Sequence, residues 1–167
     1  MTETAPHFAT RHDGVKLAYR LTEGRGPTLV FLPGYMSDMQ GGKATALCAW
    51  AEAQGIGMLR LDYSGCGESE GAFEDGTLDI WRDDVLAVIA HAQVGPLILV
   101  GSSMGGWLML LVAESGPIVY ANLAARQLLN QGRKLEGHSL DEVLSRAALP
   151  LRDALERGGD GLFSVGT

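Results

Sequence analysis

The chain has 167 residues, of which 46% are hydrophobic and 20% are charged, and its net charge is −7. This length and composition are typical of a globular protein that buries a sizeable core. The acidic charge, with no cluster of Lys and Arg, argues against a nucleic-acid partner. No unbroken apolar stretch reaches about 20 residues, and the first residues contain no apolar signal segment, so we expect neither a membrane span nor secretion.

The two cysteines, Cys48 and Cys66, belong to no metal-binding or redox motif. Free thiols in a reducing, cytoplasmic compartment are the favoured interpretation, and a disulfide between Cys48 and Cys66 is the less favoured alternative. We expect the protein to need no metal and no cofactor.

The first predicted elements are a hairpin, a strand and a helix. Apolar and polar residues alternate over residues 7–21 on both sides of Asp13-Gly14, which predicts a β-hairpin. A short apolar run bounded by Gly-Pro and Pro-Gly predicts a buried strand at Thr28–Leu32. The Ala- and Leu-rich segment that follows predicts a helix that ends at Gly55.

Two more strands and one helix follow in alternation. Met58–Asp62 is predicted as a strand that leads into a glycine-rich loop, and Leu97–Gly101 as another buried strand. Between them, residues 77–93 have a helical stripe formed by Ile80, Trp81, Val85, Val88 and Ile89. Strands that alternate with helices predict a parallel sheet with helices on its faces. The loops after these strands then meet at one edge, where ligands bind in open parallel sheets.

The segment Gly101–Gly105 matches the pattern G-x-S-x-G, with Ser103 in the middle. A sharp turn from strand to helix needs small residues two positions either side of the serine, and Gly101 and Gly105 supply them. The helix N-terminus behind the serine favours developing negative charge. We therefore predict that Ser103 is a nucleophile. The alternative is a glycine-rich turn that binds a phosphate or only connects two elements.

A serine nucleophile that attacks an acyl group also needs an oxyanion hole, formed by two N–H donors. The residue after the serine, Met104, supplies one candidate donor. The backbone N–H of Tyr35, directly after Pro33-Gly34, supplies the other. The alternative for Pro33-Gly34 is a simple turn.

Residues 8–113 resemble the N-terminal half of an α/β-hydrolase. Three segments carry the resemblance: FLPGYMSDM at 31–39, LDYSGCGESEG at 61–71 and GSSMGGWLMLL at 101–111. They are most similar to the small acyl-esterase branch that includes the mitochondrial palmitoyl-protein thioesterase and acyl-glucuronide esterase. The resemblance implies an acyl-serine at Ser103, oxyanion donors at Tyr35 and Met104, and a small acyl ester or thioester as substrate. If the eukaryotic relatives are the guide, it also implies the mitochondrial matrix.

Residues 114–167 resemble the first half of a PAS sensory domain. The segment GPIVYANLAARQLL, from residue 116, is similar to a PAS strand that runs into a helix. The predicted fold is therefore α/β: a truncated, mostly parallel α/β-hydrolase-type sheet with flanking helices at 1–113, and a PAS-like α+β segment at 114–167. This second segment either packs into the same fold or stands apart. A homodimer through the open sheet edge or the PAS-like part is also expected.

The remaining members of a catalytic triad are less clear, because in this family the acid and the histidine follow the serine. His138 is the only histidine after Ser103, and it is either a general base or a solvated loop residue. The loop aspartates Asp38, Asp62 and Asp75 precede the serine and are interpreted as loop caps.

The sequence therefore leaves two classes of function open. The first is a serine esterase or thioesterase, weak or inactive because the usual triad Asp and His are missing. The second is a protein without catalysis, either a PAS-like sensing or dimerising module joined to a hydrolase remnant or a recombinant chimera.

Overall fold

A computed structural model describes residues 5–114 and residue 142, and the structural statements below refer to these residues. The described residues up to Val112 belong to one compact unit. The strands are β1 (His7–Thr10), β2 (Lys16–Thr22), β3 (Thr28–Leu32), β4 (Met58–Leu61) and β5 (Leu97–Gly101). The helices are α1 (Gly42–Gln54), α2 (Leu78–Ala92) and α3 (Met104–Ala113), with a short 3-10 helix at Phe73–Asp75.

The strands form one mixed sheet of five, in the order β1-β2-β4-β3-β5. Strand β3 lies at the centre of the parallel part and pairs with β4 on one side and β5 on the other. Strands β1 and β2 extend the sheet in antiparallel pairing. The prediction of three parallel neighbouring strands joined through helices is confirmed.

The N-terminal hairpin has a longer turn than a two-residue connection. Thr10 pairs with Lys16, so five residues, 11–15, join β1 to β2. The N–H of Gly14 donates to the Arg11 carbonyl at 2.9 Å, and Gly14 has a φ of +94°, which favours glycine. The predicted hairpin is confirmed, and its turn still contains Asp13-Gly14.

The sheet buries apolar side chains on both faces, because successive residues of a strand point to opposite sides. Val30 and Leu32 belong to the larger core cluster, and Leu29 and Phe31 belong to the smaller one.

The larger cluster includes Trp81, Val85 and Val88 of α2 with Leu108 and Val112 of α3. The smaller cluster includes Ala44, Cys48 and Ala51 of α1. Helix α1 thus covers one face of the sheet, and α2 and α3 cover the other.

The helix ends follow the local sequence. Helix α1 ends where Gly55 takes a left-handed conformation, with a φ of +68°, and this confirms the predicted glycine stop. Helix α2 begins after Thr77, whose hydroxyl oxygen accepts a hydrogen bond from the Ile80 N–H at 3.2 Å.

Strand β5 differs from the prediction of a buried strand. All five of its residues, 97–101, are half-buried. Within the described sheet β5 is an edge strand that pairs with β3, and edge strands are less covered than central ones. The predicted homodimer through an open sheet edge stays a prediction.

Both cysteines are free thiols, with Cys48 buried on α1 and Cys66 half-buried in the loop after β4. In the part of the chain that the structure describes, no helix has the length and apolar character needed to cross a bilayer. The same residues contain no cluster of His, Cys, Asp and Glu that could hold a metal ion.

Candidate active site

Ser103 lies on the turn that links β5 to α3, and its side chain is exposed. Its φ of +55° is in the left-handed region, which for a serine costs on the order of 1–3 kcal/mol and often marks a functional site. Three backbone hydrogen bonds fix the turn. The Ser102 N–H donates to the Leu32 carbonyl at 3.1 Å, the Gly105 N–H to the Ser102 carbonyl at 3.0 Å, and the Gly106 N–H to the Ser103 carbonyl at 2.8 Å. Ser103 thus lies on a strand-to-helix turn, and its role as a nucleophile stays a prediction.

Two glycines let this turn approach its neighbours closely. A methyl group at Gly105 would lie 2.1 Å from the Leu32 carbonyl oxygen. One at Gly101 would lie 2.3 Å from the Gly105 carbonyl oxygen. Both positions therefore exclude a side chain, as the motif analysis predicts, whereas a methyl group at Gly106 would meet no atom within 4 Å.

The loop after β3 packs directly against this turn. Its first residues form a tight turn in which Ser37 N–H donates to the Gly34 carbonyl at 3.1 Å, and Met36 has a φ of +53°. A methyl group at Gly34 would lie 3.3 Å from the Ser103 Cβ, so the two turns are in contact. Tyr35 projects from this turn with 59% of its surface exposed.

The two candidate oxyanion donors are the backbone N–H groups of Tyr35 and Met104. Neither the N–H of Tyr35 nor that of Met104 donates a hydrogen bond to another described residue. The structure therefore brings the loop that carries Tyr35 beside the turn that carries Ser103 and Met104. That both N–H groups point at one acyl oxygen stays a prediction.

Buried polar groups anchor the loop after β3. The Tyr63 hydroxyl donates to the Pro33 carbonyl at 2.9 Å. At the far end, the Met39 N–H donates to Asp62 Oδ1 at 2.7 Å, and Arg60 Nη1 donates to the Met39 carbonyl at 3.1 Å. The loop is thus held before and after the exposed Tyr35 turn.

Asp62, the first residue after β4, ties this loop to the next one. Besides Met39, it accepts the Glu68 N–H at 2.9 Å on its second oxygen. A methyl group at Gly67, which has a φ of +49°, would lie 2.1 Å from the same oxygen. Burial raises the pKa of the Asp62 carboxyl, and the two N–H donors oppose that effect. The contacts of Asp62 match its interpretation as a loop cap. Asp38 likewise accepts the Gln40 N–H at 2.8 Å.

A cavity of about 200 Å³ lies between the loops after β3 and β4. It is lined by Met36, Ser37, Asp38, Gly65, Cys66, Gly67 and Phe73. The ring of Tyr35 packs edge-on against Phe73, with ring centres 5.2 Å apart. Burial raises the pKa of the Cys66 thiol, so this sulfur stays protonated and is a poor nucleophile.

A lysine beside the nucleophile turn was not found by sequence reasoning. Lys43, the second residue of α1, extends its Nζ to the Ser102 hydroxyl at 3.1 Å. Its place after Gly41-Gly42 at a helix start gives no signal that would separate it from an ordinary surface lysine.

The predicted base, His138, lies outside the described residues. Two of the other histidines pack against Tyr19 of β2. The ring centres are 5.5 Å apart for His7 and 6.0 Å apart for His91. His12 lies in the turn between β1 and β2.

Comparison with known proteins places this geometry among hydrolases. A family model described as "Alpha/beta hydrolase family" matches residues 29–165. The mitochondrial palmitoyl-protein thioesterase ABHD10 of Bos taurus is 38% identical over 154 residues, which cover 89% of this chain and 50% of the relative. The Homo sapiens ABHD10 is 46% identical over 115 residues, which cover 69% of this chain and 38% of the relative.

Solved structures give the same result. Alpha/beta hydrolase domain-containing protein 10 from mouse matches with a TM-score of 0.64 and 42% identity, over 67% of this chain and 45% of that one. A putative hydrolase from Agrobacterium vitis matches with a TM-score of 0.62 and 40% identity, over 68% of this chain and 45% of that one. This chain thus spans about half the length of these relatives, or less.

The segment predicted to resemble a PAS domain, residues 114–167, lies outside the described residues except for Glu114 and Glu142. The hydrolase family match extends across it to residue 165. The comparisons therefore lend the PAS resemblance no support.

Proposed function

Since this chain belongs to the alpha/beta hydrolase family, we propose that it hydrolyses ester or thioester bonds through an acyl-serine formed on Ser103. The observation that carries the proposal is the geometry of Ser103, an exposed serine with a φ of +55° between a strand and a helix. The names of the similar proteins, which include palmitoyl-protein thioesterases, support an acyl substrate.

In the proposed reaction, the Ser103 hydroxyl oxygen attacks the acyl carbon and loses its proton to a base. The negative charge that develops on the acyl oxygen accepts hydrogen bonds from the N–H groups of Tyr35 and Met104. The alcohol or thiol then leaves with a proton, and water hydrolyses the acyl-serine. We propose His138 as the base, because it is the only histidine after Ser103 among the 167 residues.

Weak turnover is the expected level. In serine proteases, an oxyanion hole and substrate binding without a complete triad still give roughly 10³–10⁴-fold acceleration over water. We therefore propose activated esters or thioesters of short acyl chains as the first substrates, and the mitochondrial matrix as the location.

The test is covalent labelling of the 167-residue chain by a fluorophosphonate probe, with peptide mapping of the labelled residue. We expect one label, on Ser103, that is absent from Ser103→Ala and still forms in Ser102→Ala. Turnover of 4-nitrophenyl butyrate should also disappear in Ser103→Ala. An unlabelled parent protein without turnover would reject the enzyme hypothesis, and the hydrolase elements would then act only as a scaffold.

A further inference from the structure

We propose that Lys43 is a positioning residue that acts on the nucleophile Ser103 through Ser102. This inference rests on the proposed function, in which Ser103 forms the acyl-enzyme. Its basis is the hydrogen bond from Lys43 Nζ to the Ser102 hydroxyl at 3.1 Å, which joins residues 59 positions apart in the chain.

The hydrogen bond joins two groups that have no competing partner among the described residues. Lys43 is the partner of the Ser102 hydroxyl there, and Lys43 forms no ion pair with a described carboxylate. Lys43 is exposed. Its ammonium group is thus held at the nucleophile turn by a hydroxyl rather than by a carboxylate.

The nucleophile turn needs such a restraint. A serine with a positive φ persists only where its surroundings fix the backbone, and Ser103 has a φ of +55°. The backbone N–H of Ser102 donates a hydrogen bond to the Leu32 carbonyl at 3.1 Å, which fixes the turn from the side of β3. The bond from Lys43 adds a second restraint, from the side of α1.

The hydrogen bond between Lys43 and Ser102 also links the two segments that carry the candidate oxyanion donors. Helix α1 begins at Gly42, directly after the loop that carries Tyr35. The turn bonded to Lys43 carries Met104. Because a misplacement of about 1 Å can cost on the order of 100-fold in rate, a bond between these two segments is expected to affect the chemical step.

The competing explanation is a purely electrostatic effect of the Lys43 charge on the substrate or the oxyanion. Ser102→Ala distinguishes the two explanations, because it keeps the Lys43 charge and removes the hydrogen bond. Lys43→Arg is a second test, because it keeps a charged donor. Arg25→Met is the matched control for the loss of one positive charge, since Arg25 lies in the connection that enters the N-terminal end of β3, whereas the Tyr35 and Ser103 turns follow the carboxyl ends of β3 and β5.

The experiment is a double-mutant cycle on 4-nitrophenyl butyrate, a neutral substrate, with kcat and KM measured separately. A net hydrogen-bond contribution of the usual size predicts a fall in kcat of about 3–10-fold in Lys43→Met, with KM unchanged. Ser102→Ala should fall equally, and the double variant should fall no further, because both changes remove the same bond. Lys43→Arg should recover most of kcat, and Arg25→Met should match the parent.

Three results would overturn the inference while leaving the proposed function intact. They are additive losses in the double variant, a change confined to KM, and a loss in Lys43→Met that Ser102→Ala does not share. Absence of any turnover that depends on Ser103 in the parent would overturn both proposals together. Thermal unfolding of each variant checks that the substitutions leave the fold unchanged.

Discussion

Asp84 is a fully buried carboxylate on α2 that joins three parts of the chain. One oxygen accepts a hydrogen bond from the Arg11 guanidinium in the hairpin turn. The other accepts both the N–H and the hydroxyl of Ser64, at 2.8 and 2.7 Å, in the loop after β4. Because this side chain is shielded from water, these three hydrogen bonds are needed to satisfy its buried oxygens.

We expect Asp84→Ala to lower the free energy of unfolding by about 2–4 kcal/mol, because it leaves the Ser64 donors without their buried acceptor and Arg11 with Asp13 as its remaining partner. The neighbouring Asp83 is the matched control, since it pairs with Arg82 at the surface. Asp83→Ala should cost no more than about 1 kcal/mol. Urea unfolding monitored by circular dichroism compares the two variants, and equal midpoints would contradict the role given to Asp84.

Single residues were predictable from the sequence only where local spacing decides their position. Asp84 lies three residues after Trp81 and one before Val85, so helical spacing already places it on the buried face of α2. Its partner Arg11 is 73 positions away. No local pattern connects the two, and the same holds for Lys43 and Ser102.

At the scale of the element, the turn between β5 and α3 depends on how closely its backbone approaches β3. A methyl group at Gly105 would lie 2.1 Å from the Leu32 carbonyl oxygen and 2.6 Å from that of Pro33. Both atoms belong to the backbone, so only a shift of α3 or of the end of β3 can relieve the clash. Either shift moves the nucleophile relative to the loop that carries Tyr35.

Gly105→Ala is therefore expected to reduce turnover by about 100-fold or more and to cost about 1–3 kcal/mol of stability. Gly106→Ala is the matched control, because a methyl group there would meet no atom within 4 Å. In the same helix, this change should stabilise by about 0.5–1 kcal/mol with activity retained. Rates on 4-nitrophenyl butyrate and thermal midpoints measure both effects. Similar losses in the two variants would contradict the close-packing argument.

The sequence predicted most elements well, because their signals are local. The apolar run at Thr28–Leu32 and the G-x-S-x-G pattern around Ser103 both give the observed structure. The exposure of β5 was predicted wrongly, since Leu97–Gly101 has the apolar composition of a central strand. Composition shows that a strand can be buried, whereas its actual burial depends on which strands pair with it.

At the scale of the whole molecule, the described sheet brings together the parts of the site that come from β3, β4 and β5. The predicted nucleophile and both candidate oxyanion donors lie within residues 35–104, and the sequence could place them on one side of the sheet because they sit at strand ends. His138 stays a predicted base, and no motif around it indicates its position relative to Ser103.

The proposed base, His138, can be tested by substitution. If His138 takes the proton from Ser103, His138→Ala should lower turnover of 4-nitrophenyl butyrate by about 10²-fold or more. His12→Ala is the matched control, because His12 lies in the turn between β1 and β2, outside the turns after β3 and β5 that carry Tyr35 and Ser103, and it should keep the parent's rate. Equal rates for the parent and His138→Ala, with turnover still dependent on Ser103, would contradict the role of His138. The oxyanion donors and water would then account for the catalysis observed.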